Sequence, residues 1–210
     1  MPKMIDPDPP PSDAAAIGGV SDRCLLESFA AGNLDLFDAF VDRYSRRLHA
    51  FLFRQIGDRQ WAEDLLQDTF IKAVRAARDG RGPTRDDATA WMFTIARRVT
   101  IDAQRAAASR PIQLTNVHGH ADQAGAPLGP PPEAATQEAE RTAELERALR
   151  ALPPDQRDAV LLRVYGEMTF AEVAEVVGAV EGTVKSRVYT GLARLRLLLS
   201  ETESSQGATR

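Results

Sequence analysis

The sequence predicts an all-α protein made of two small helical domains joined by a flexible linker, the second domain containing a helix-turn-helix. Three observations carry this. Apolar residues recur at helical spacing through long segments on both sides of residues 110–132, and no segment alternates as a strand would. Residues 110–132 themselves are Pro, Gly, Ala, His and Gln with almost no large apolar side chain, the composition of a tether. Beyond them a capping signal, a three-residue break and a second apolar stripe follow one another in helix-turn-helix order.

Residues 1–20 are rich in Pro, Asp and Ala and read as a disordered tail. A short helix over 22–31 is expected, capped by Ser21. Phe37, Phe40, Val41, Tyr44, Leu48, Phe51, Leu52 and Ile56 then fall on one helical face. Gly57-Asp58 ends that helix and caps the next, over about 60–77, whose core residues are Trp61, Leu65, Leu66, Phe70 and Val74. Gly80-Arg-Gly-Pro83 is a loop. A third long helix over about 88–108 carries Trp91, Phe93, Ile95, Val99 and Ile101. These elements form a first domain over 21–109. After the linker a helix runs from Glu133 to Leu152, and Pro153-Pro154 opens the next, because proline is tolerated in a first turn. The second domain spans 133–200, and 201–210 is a second disordered tail.

Charge is segregated along the chain, although the net formal charge is only −4. Residues 72–110 hold nine Lys/Arg against four Asp/Glu, and residues 181–199 hold four against one. Residues 21–71 carry a net −3 and 111–140 a net −4. Two local basic segments suit nucleic acid, and the acidic ones suit solvent or a protein partner. Cys24 is the one cysteine, which excludes an intrachain disulfide and a cysteine metal cluster; at a helical position it is expected to be a small buried hydrophobe. His118 and His120, two apart in the linker, read as solvated residues and not a metal site. No cofactor is implied. There is no signal-peptide pattern and no apolar run near the roughly 20 residues a membrane span needs, so a soluble, cytoplasmic protein is expected.

The most informative stretch is the last sixty residues. Thr169 sits where a helix N-cap should be, and Glu172 stands three residues on, where a capping box wants an acid. Ala171, Val173, Ala174 and Val177 follow at helical spacing, and Gly178-Ala179-Val180 breaks the pattern. From Glu181, a buried stripe of Val184, Val188, Leu192, Leu195 and Leu199 is expected. Lys185, Ser186, Arg187, Tyr189 and Arg194 lie off it. An exposed helix face offering Lys, Arg, Ser and Tyr is equipped to enter a major groove. An ordinary helical hairpin with a solvated charged face is the bland alternative; the coincidence of cap, turn, stripe and basic face in order speaks against it.

These motifs, with two more in the first half, carry a family resemblance. The residues are Ala62-Glu-Asp-Leu-Leu-Gln-Asp-Thr-Phe70 and Trp91-Met-Phe-Thr-Ile-Ala-Arg97 with Ile101-Asp102, then Leu152-Pro-Pro-Asp-Gln-Arg157, Thr169-Phe-Ala-Glu-Val-Ala174 and Glu181-Gly-Thr-Val-Lys-Ser-Arg187. The chain resembles the sigma-70 family of bacterial RNA polymerase specificity factors, in its short extracytoplasmic-function (ECF) group, over roughly 25–108 and 138–199. The resemblance implies that region 2, the first domain, binds the polymerase clamp and reads and melts the −10 element, while region 4, the second, reads the −35 element as duplex. Glu63, Asp64, Gln67 and Asp68 match the polymerase-binding helix. Arg81, Arg85, Trp91, Arg97, Arg98 and Arg105 match the −10 and melting surface; Trp91 is alternatively a core residue of its amphipathic helix. Thr183, Lys185, Ser186, Arg187, Tyr189, Thr190 and Arg194 match the −35 surface. Two departures stand out. Arg98 replaces a common Asn, exchanging an amide that reads base edges for a cation that favours phosphate. Thr190-Gly191 replaces a common Arg-Ala pair, losing a cation and inserting a glycine that costs a helix up to ~1 kcal/mol.

Core RNA polymerase, promoter DNA as duplex and single strand, and an anti-sigma factor are the implied partners, with the protein a monomer when free and one copy per holoenzyme. A stand-alone helix-turn-helix regulator is the competing reading, but residues 21–108 offer no βα alternation for a receiver domain. An enzyme finds no support: no Gly-rich phosphate loop, His-Glu metal motif or nucleophile elbow is present.

Overall fold

The computed structural model describes residues 20–85, 87–109 and 133–207, with side chains over 20–85, 87–109 and 139–200. The tail before Val20 and the linker 110–132, with His118 and His120, lie outside the described residues. Every regular element among the described residues is helical: α1 (Asp22–Ala30), α2 (Phe37–Ile56), α3 (Arg59–Arg78), α4 (Thr89–Ser109), α5 (Glu133–Arg150), α6 (Pro154–Tyr165), α7 (Phe170–Val177) and α8 (Glu181–Gly207).

Helix ends fall where local chemistry places them. Ser21 Oγ accepts from the Cys24 amide at 3.3 Å and starts α1. Gly57, at φ +80°, closes α2 in the left-handed conformation that glycine adopts without a Cβ penalty. Asp58 then accepts from the Trp61 amide at 2.8 Å and starts α3. Pro154 occupies the first turn of α6.

The core of the first half is aromatic. Phe29, Phe40, Tyr44, Phe51 and Phe93 are fully buried, and Phe40 meets Phe29 and Phe70 edge to face. Trp61, Leu66 and Val74 of α3 are only partly buried; Leu65, Phe70, Ala73 and Ala77 form its buried stripe. Beneath the aromatic layer lies a polar hub absent from the sequence reading. Asp22 is buried and accepts from Arg43, from the Tyr44 hydroxyl and from the Ala88 amide, the last at 2.8 Å. It ties α1 to α2 and to the start of α4. Cys24, expected inside, is exposed, because α1 turns Leu25, Leu26 and Phe29 inward instead.

The second half packs α6, α7 and α8 around Leu161, Leu162, Val173, Val184 and Val188, with α5 against α8. In α7 the buried residues are Phe170, Val173, Ala174 and Val176, while Ala171 is exposed. In α8 the expected stripe is buried at Val184, Val188 and Leu195, only partly buried at Leu199, and corrected at Leu192. Leu192 is 44% exposed and Gly191 is buried in its place. A Cβ built on Gly191 would stand 2.9 Å from Val160 Cγ2, so the glycine lets α8 approach α6 closely. The helix also continues past residue 200, through the stretch expected as a tail, to Gly207. Residues 200–206 hold no Pro or Gly to stop it, and polar composition alone misreads such an end.

The two halves are in contact. Helix α2 packs on α6 and α5, and α4 packs on α7. Arg47 donates to the carbonyls of Tyr165 and Gly166, and Arg54 lies 4.7 Å over the Tyr165 ring.

Candidate nucleic-acid interface

The turn and the helix after it are built as the spacing predicts. Thr169 Oγ1 accepts from the Glu172 amide at 3.3 Å, and the Glu172 carboxylate accepts from the Thr169 amide at 2.7 Å, completing the capping box. Gly178, at φ +71°, ends α7 in the left-handed region, and its amide donates to Ala174 O. Val184 and Val188 are buried and hold α8 to the core. With that side fixed, Thr183, Lys185, Ser186, Tyr189, Thr190 and Arg194 are all exposed.

Their chemistry is not uniform. Lys185 pairs with Glu181 at 2.8 Å and its ammonium stands 5.5 Å over the Phe170 ring. Tyr189 leans on the same ring, so Phe170 organises this end of the face. Thr190 spends its hydroxyl proton on the Ser186 carbonyl of its own helix. Arg187 diverges from the rest. It is half-buried and its guanidinium donates to Asp155 of α6 at 2.6 Å. The structure therefore brings six of the seven −35 candidates onto one open face and sets Arg187 at its edge.

In the first half, α3 leaves Asp64, Gln67 and Asp68 exposed, with Glu63 half-buried and paired to Arg59 at 3.1 Å. Ile71, one turn beyond Gln67 and Asp68, is 47% exposed and adds an apolar member to this acidic face. Composition could not single it out, since an apolar residue on an amphipathic helix is ordinarily core.

The −10 candidates divide into two groups. Trp91 is half-buried, and its indole N–H donates to the Arg81 carbonyl at 3.1 Å, fixing the 80–85 loop against α4. Trp91 packs against the core on one side and on the other lines a cleft with Pro83, Arg85 and Thr94. Arg98 and Arg105 stand seven and fourteen residues beyond Trp91 on the same helical stripe, and both are exposed. Arg97, next to Arg98 in sequence, is turned away. Its Nε donates to Asp158 of α6 at 2.7 Å, while Gln55 donates to the other oxygen of that carboxylate. Arg157 completes the cluster by donating to Gln55 Oε1 at 3.1 Å. Burial pulls the Arg157 guanidinium below its ordinary pKa, with Asp158 opposing and Arg150 reinforcing the shift. Arg85 reaches Glu175 of α7 at 2.8 Å, and Arg81 pairs with Asp79. No signal in the sequence pointed to Asp158 or Glu175, because both act across the linker, 61 and 90 residues from their partners.

No helix among the described residues is long and apolar enough to cross a membrane, and these residues hold no His/Cys/Asp/Glu cluster suited to a metal. A capped helix-turn-helix with an open Lys/Ser/Thr/Tyr face, mounted beside a second helical half with a basic α4 and an acidic patch on α3, has the layout of a two-part DNA-binding protein. Comparison with known proteins narrows the class. Residues 40–110 match Sigma-70 region 2, and residues 142–195 match Sigma-70, region 4. The ECF RNA polymerase sigma factor SigL of Mycobacterium tuberculosis is 34% identical, over 82% of this chain and 93% of that protein. SigM of the same organism is 32% identical, over 91% of this chain and 94% of that one. Among solved structures, CnrH in complex with the cytosolic domain of CnrY is 27% identical, with a TM-score of 0.61 over 86% of this chain and 97% of that one. The sigma factor RpoE in complex with the anti-sigma factor NepR from Bartonella quintana is also 27% identical, with a TM-score of 0.58 over 78% of this chain and 96% of that one. The chain belongs to the sigma-70 family, as an ECF RNA polymerase sigma factor that directs promoter-specific transcription initiation.

Proposed function

We propose a division of labour among named surfaces. The first domain, 21–109, docks on core RNA polymerase through Asp64, Gln67 and Asp68, with Glu63 beside them. It captures the melted −10 strand along Trp91, Arg98 and Arg105, with Arg81, Arg85 and Arg97 nearby. The second domain, 133–200, sets α8 in the major groove of the −35 element through Thr183, Lys185, Ser186, Tyr189, Thr190 and Arg194, with Arg187 at the margin. One observation carries this reading: the α7–α8 pair buries Val184 and Val188 and leaves short hydroxyls and cations together on the opposite, open face. That is the arrangement a recognition helix needs, since the buried side fixes the angle at which the other meets base edges.

The protein acts as a dissociable subunit and not as a catalyst, in the cytoplasm, one copy per polymerase. An anti-sigma factor is a further partner; the solved relative RpoE is bound to one. The test is selection from random duplex DNA by core polymerase loaded with this chain. Recovered fragments should share two short motifs at fixed spacing, and Lys185→Ala with Ser186→Ala should erode the upstream motif alone. Recovery of unrelated sequences by the loaded enzyme contradicts the assignment.

A further inference from the structure

On the reading of α4 and the segment before it as the −10 face, on which this inference rests, we infer that Asp22 is a positioning residue for strand capture. Asp22 and the Phe29 carbonyl, both on α1, anchor the two ends of the segment that carries Arg81 and Arg85. At the start, Arg78, the last residue of α3, donates through Nε to the Phe29 carbonyl at 3.4 Å. At the end, the Ala88 amide donates to Asp22 Oδ2 at 2.8 Å, and the Ala88 carbonyl accepts from the Met92 amide at 2.8 Å to start α4. Asp22 is thus the cap of a helix whose entry lies 66 residues further along the chain. Between the two anchors, the Trp91 indole donates to the Arg81 carbonyl at 3.1 Å. The register of Arg81 and Arg85 against Trp91 therefore depends on α1, which carries none of the three. The Arg78 contact is at the long limit for a hydrogen bond, so Asp22 is the stronger anchor. Its carboxylate is 3% exposed; Arg43 holds Oδ1, and the Tyr44 hydroxyl shares Oδ2 with the Ala88 amide. A buried carboxylate at a helix N-terminus is favoured by the helix dipole and little screened by salt. Ala88 is fully buried, so an amide that loses this acceptor finds no water in place, and the end of the segment must move to satisfy it. A face whose parts are already in register captures a strand at less ordering cost than one whose parts move separately.

Two rebuilt hubs in the full chain test this. Asp22→Asn with Arg43→Met removes both charges and keeps an oxygen for the Ala88 amide and the Tyr44 hydroxyl. Asp22→Leu with Arg43→Met and Tyr44→Phe removes that oxygen and leaves an apolar hub, a replacement that buried ion pairs often tolerate. Each protein is loaded on core polymerase and given a pool of random-sequence single strands of about 12 nucleotides, with retention corrected for core enzyme alone. Hydrogen exchange of the Ala88 amide and the Trp91 indole N–H is followed on the free chains. The asparagine variant should match the wild type in exchange and in strand retention. The leucine variant should exchange both protons faster and bind strand about tenfold more weakly, while still co-eluting with core polymerase. Arg78→Ala, at an exposed side chain, loosens the other anchor and should give a smaller loss; Arg75→Ala, the same charge change one turn earlier, should give none. Fast exchange of the Ala88 amide in the wild type overturns the inference without any variant having to fold. An asparagine variant as weak as the leucine one also overturns it, as does an Arg78→Ala loss no larger than that of Arg75→Ala. Arg98→Ala with Arg105→Ala separates the two claims. If these changes weaken strand binding and a folded leucine variant does not, Asp22 positions nothing. If neither weakens it, α4 is not the −10 face and the underlying reading fails with the inference.

Discussion

Gly191 faces Val160: a Cβ built at residue 191 would stand 2.9 Å from the valine Cγ2 and 3.5 Å from Gln156 Cβ. The glycine that weakens an isolated helix here lets α8 lie close on α6, and so sets where the open Lys/Ser/Thr/Tyr face points. Gly191→Ala should therefore gain none of the ~1 kcal/mol that helix propensity alone would grant. Gly191→Val, which forces the helices apart, should destabilise the second half by about 1–3 kcal/mol. Chemical denaturation followed by Tyr and helix signals measures both; a stabilised valine variant would show that the contact is not tight.

Asp22 should be the costliest polar residue to remove from the first half. It is 3% exposed, and its Arg43 partner is 6% exposed. Deleting one member of a buried pair strands the other, at about 3–5 kcal/mol. Asp22→Ala should show that loss in urea denaturation, and much less of it when Arg43→Met is already present. Equal losses in both backgrounds would mean the pair is not coupled.

Tyr44 gives the protein an alkaline signature. Burial, and then the neighbouring Asp22 charge, hold its phenol far above the ordinary pKa of 10.0. A raised acid pKa favours the neutral folded form, so its contribution is complete below pH ~10 and falls as pH rises further, by about 1.4 kcal/mol per pH unit. Relative to Tyr44→Phe, the wild type should begin to lose stability at about pH 10, and the slope should approach that value above about pH 11. Parallel stability curves for the two proteins would contradict it.

Binding to core polymerase should depend on charge and on one apolar side chain. Asp64→Arg with Asp68→Arg should abolish co-elution with core enzyme while shifting the melting temperature little, because both carboxylates are exposed. Ile71→Ser should weaken co-elution without unfolding the chain, since the side chain is already half in water. Normal co-elution of the double charge variant removes α3 from the interface.

Much of this was legible in the residues themselves. The Thr169–Glu172 box, the Gly57 and Gly178 stops and the Asp58 cap are local rules, written within four residues of where they act, and the sequence reading anticipated each. The periodicity argument failed where the packed residue is not apolar. It credited Leu192, when a glycine one position earlier makes the close contact. It also placed Cys24 inside, on hydrophobicity alone. Asp22 drew no notice in the sequence, because nothing local announces that Tyr44 and Ala88 converge on it. Asp158 and Glu175 were invisible for the same reason at longer range: ion pairing between halves depends on how they dock, and no spacing in the chain encodes that.

The central claim is that this chain confers promoter choice on a polymerase that lacks it. Transcripts made by purified core polymerase from a fragmented genomic template, with and without the protein, with their 5′ ends mapped, test it most directly. The account predicts a small set of new start sites that appear only with the protein. Each should be preceded by shared −10 and −35 motifs, and each should be lost with Asp64→Arg/Asp68→Arg. Identical start sites with and without the protein, from a preparation that binds core enzyme, would contradict it.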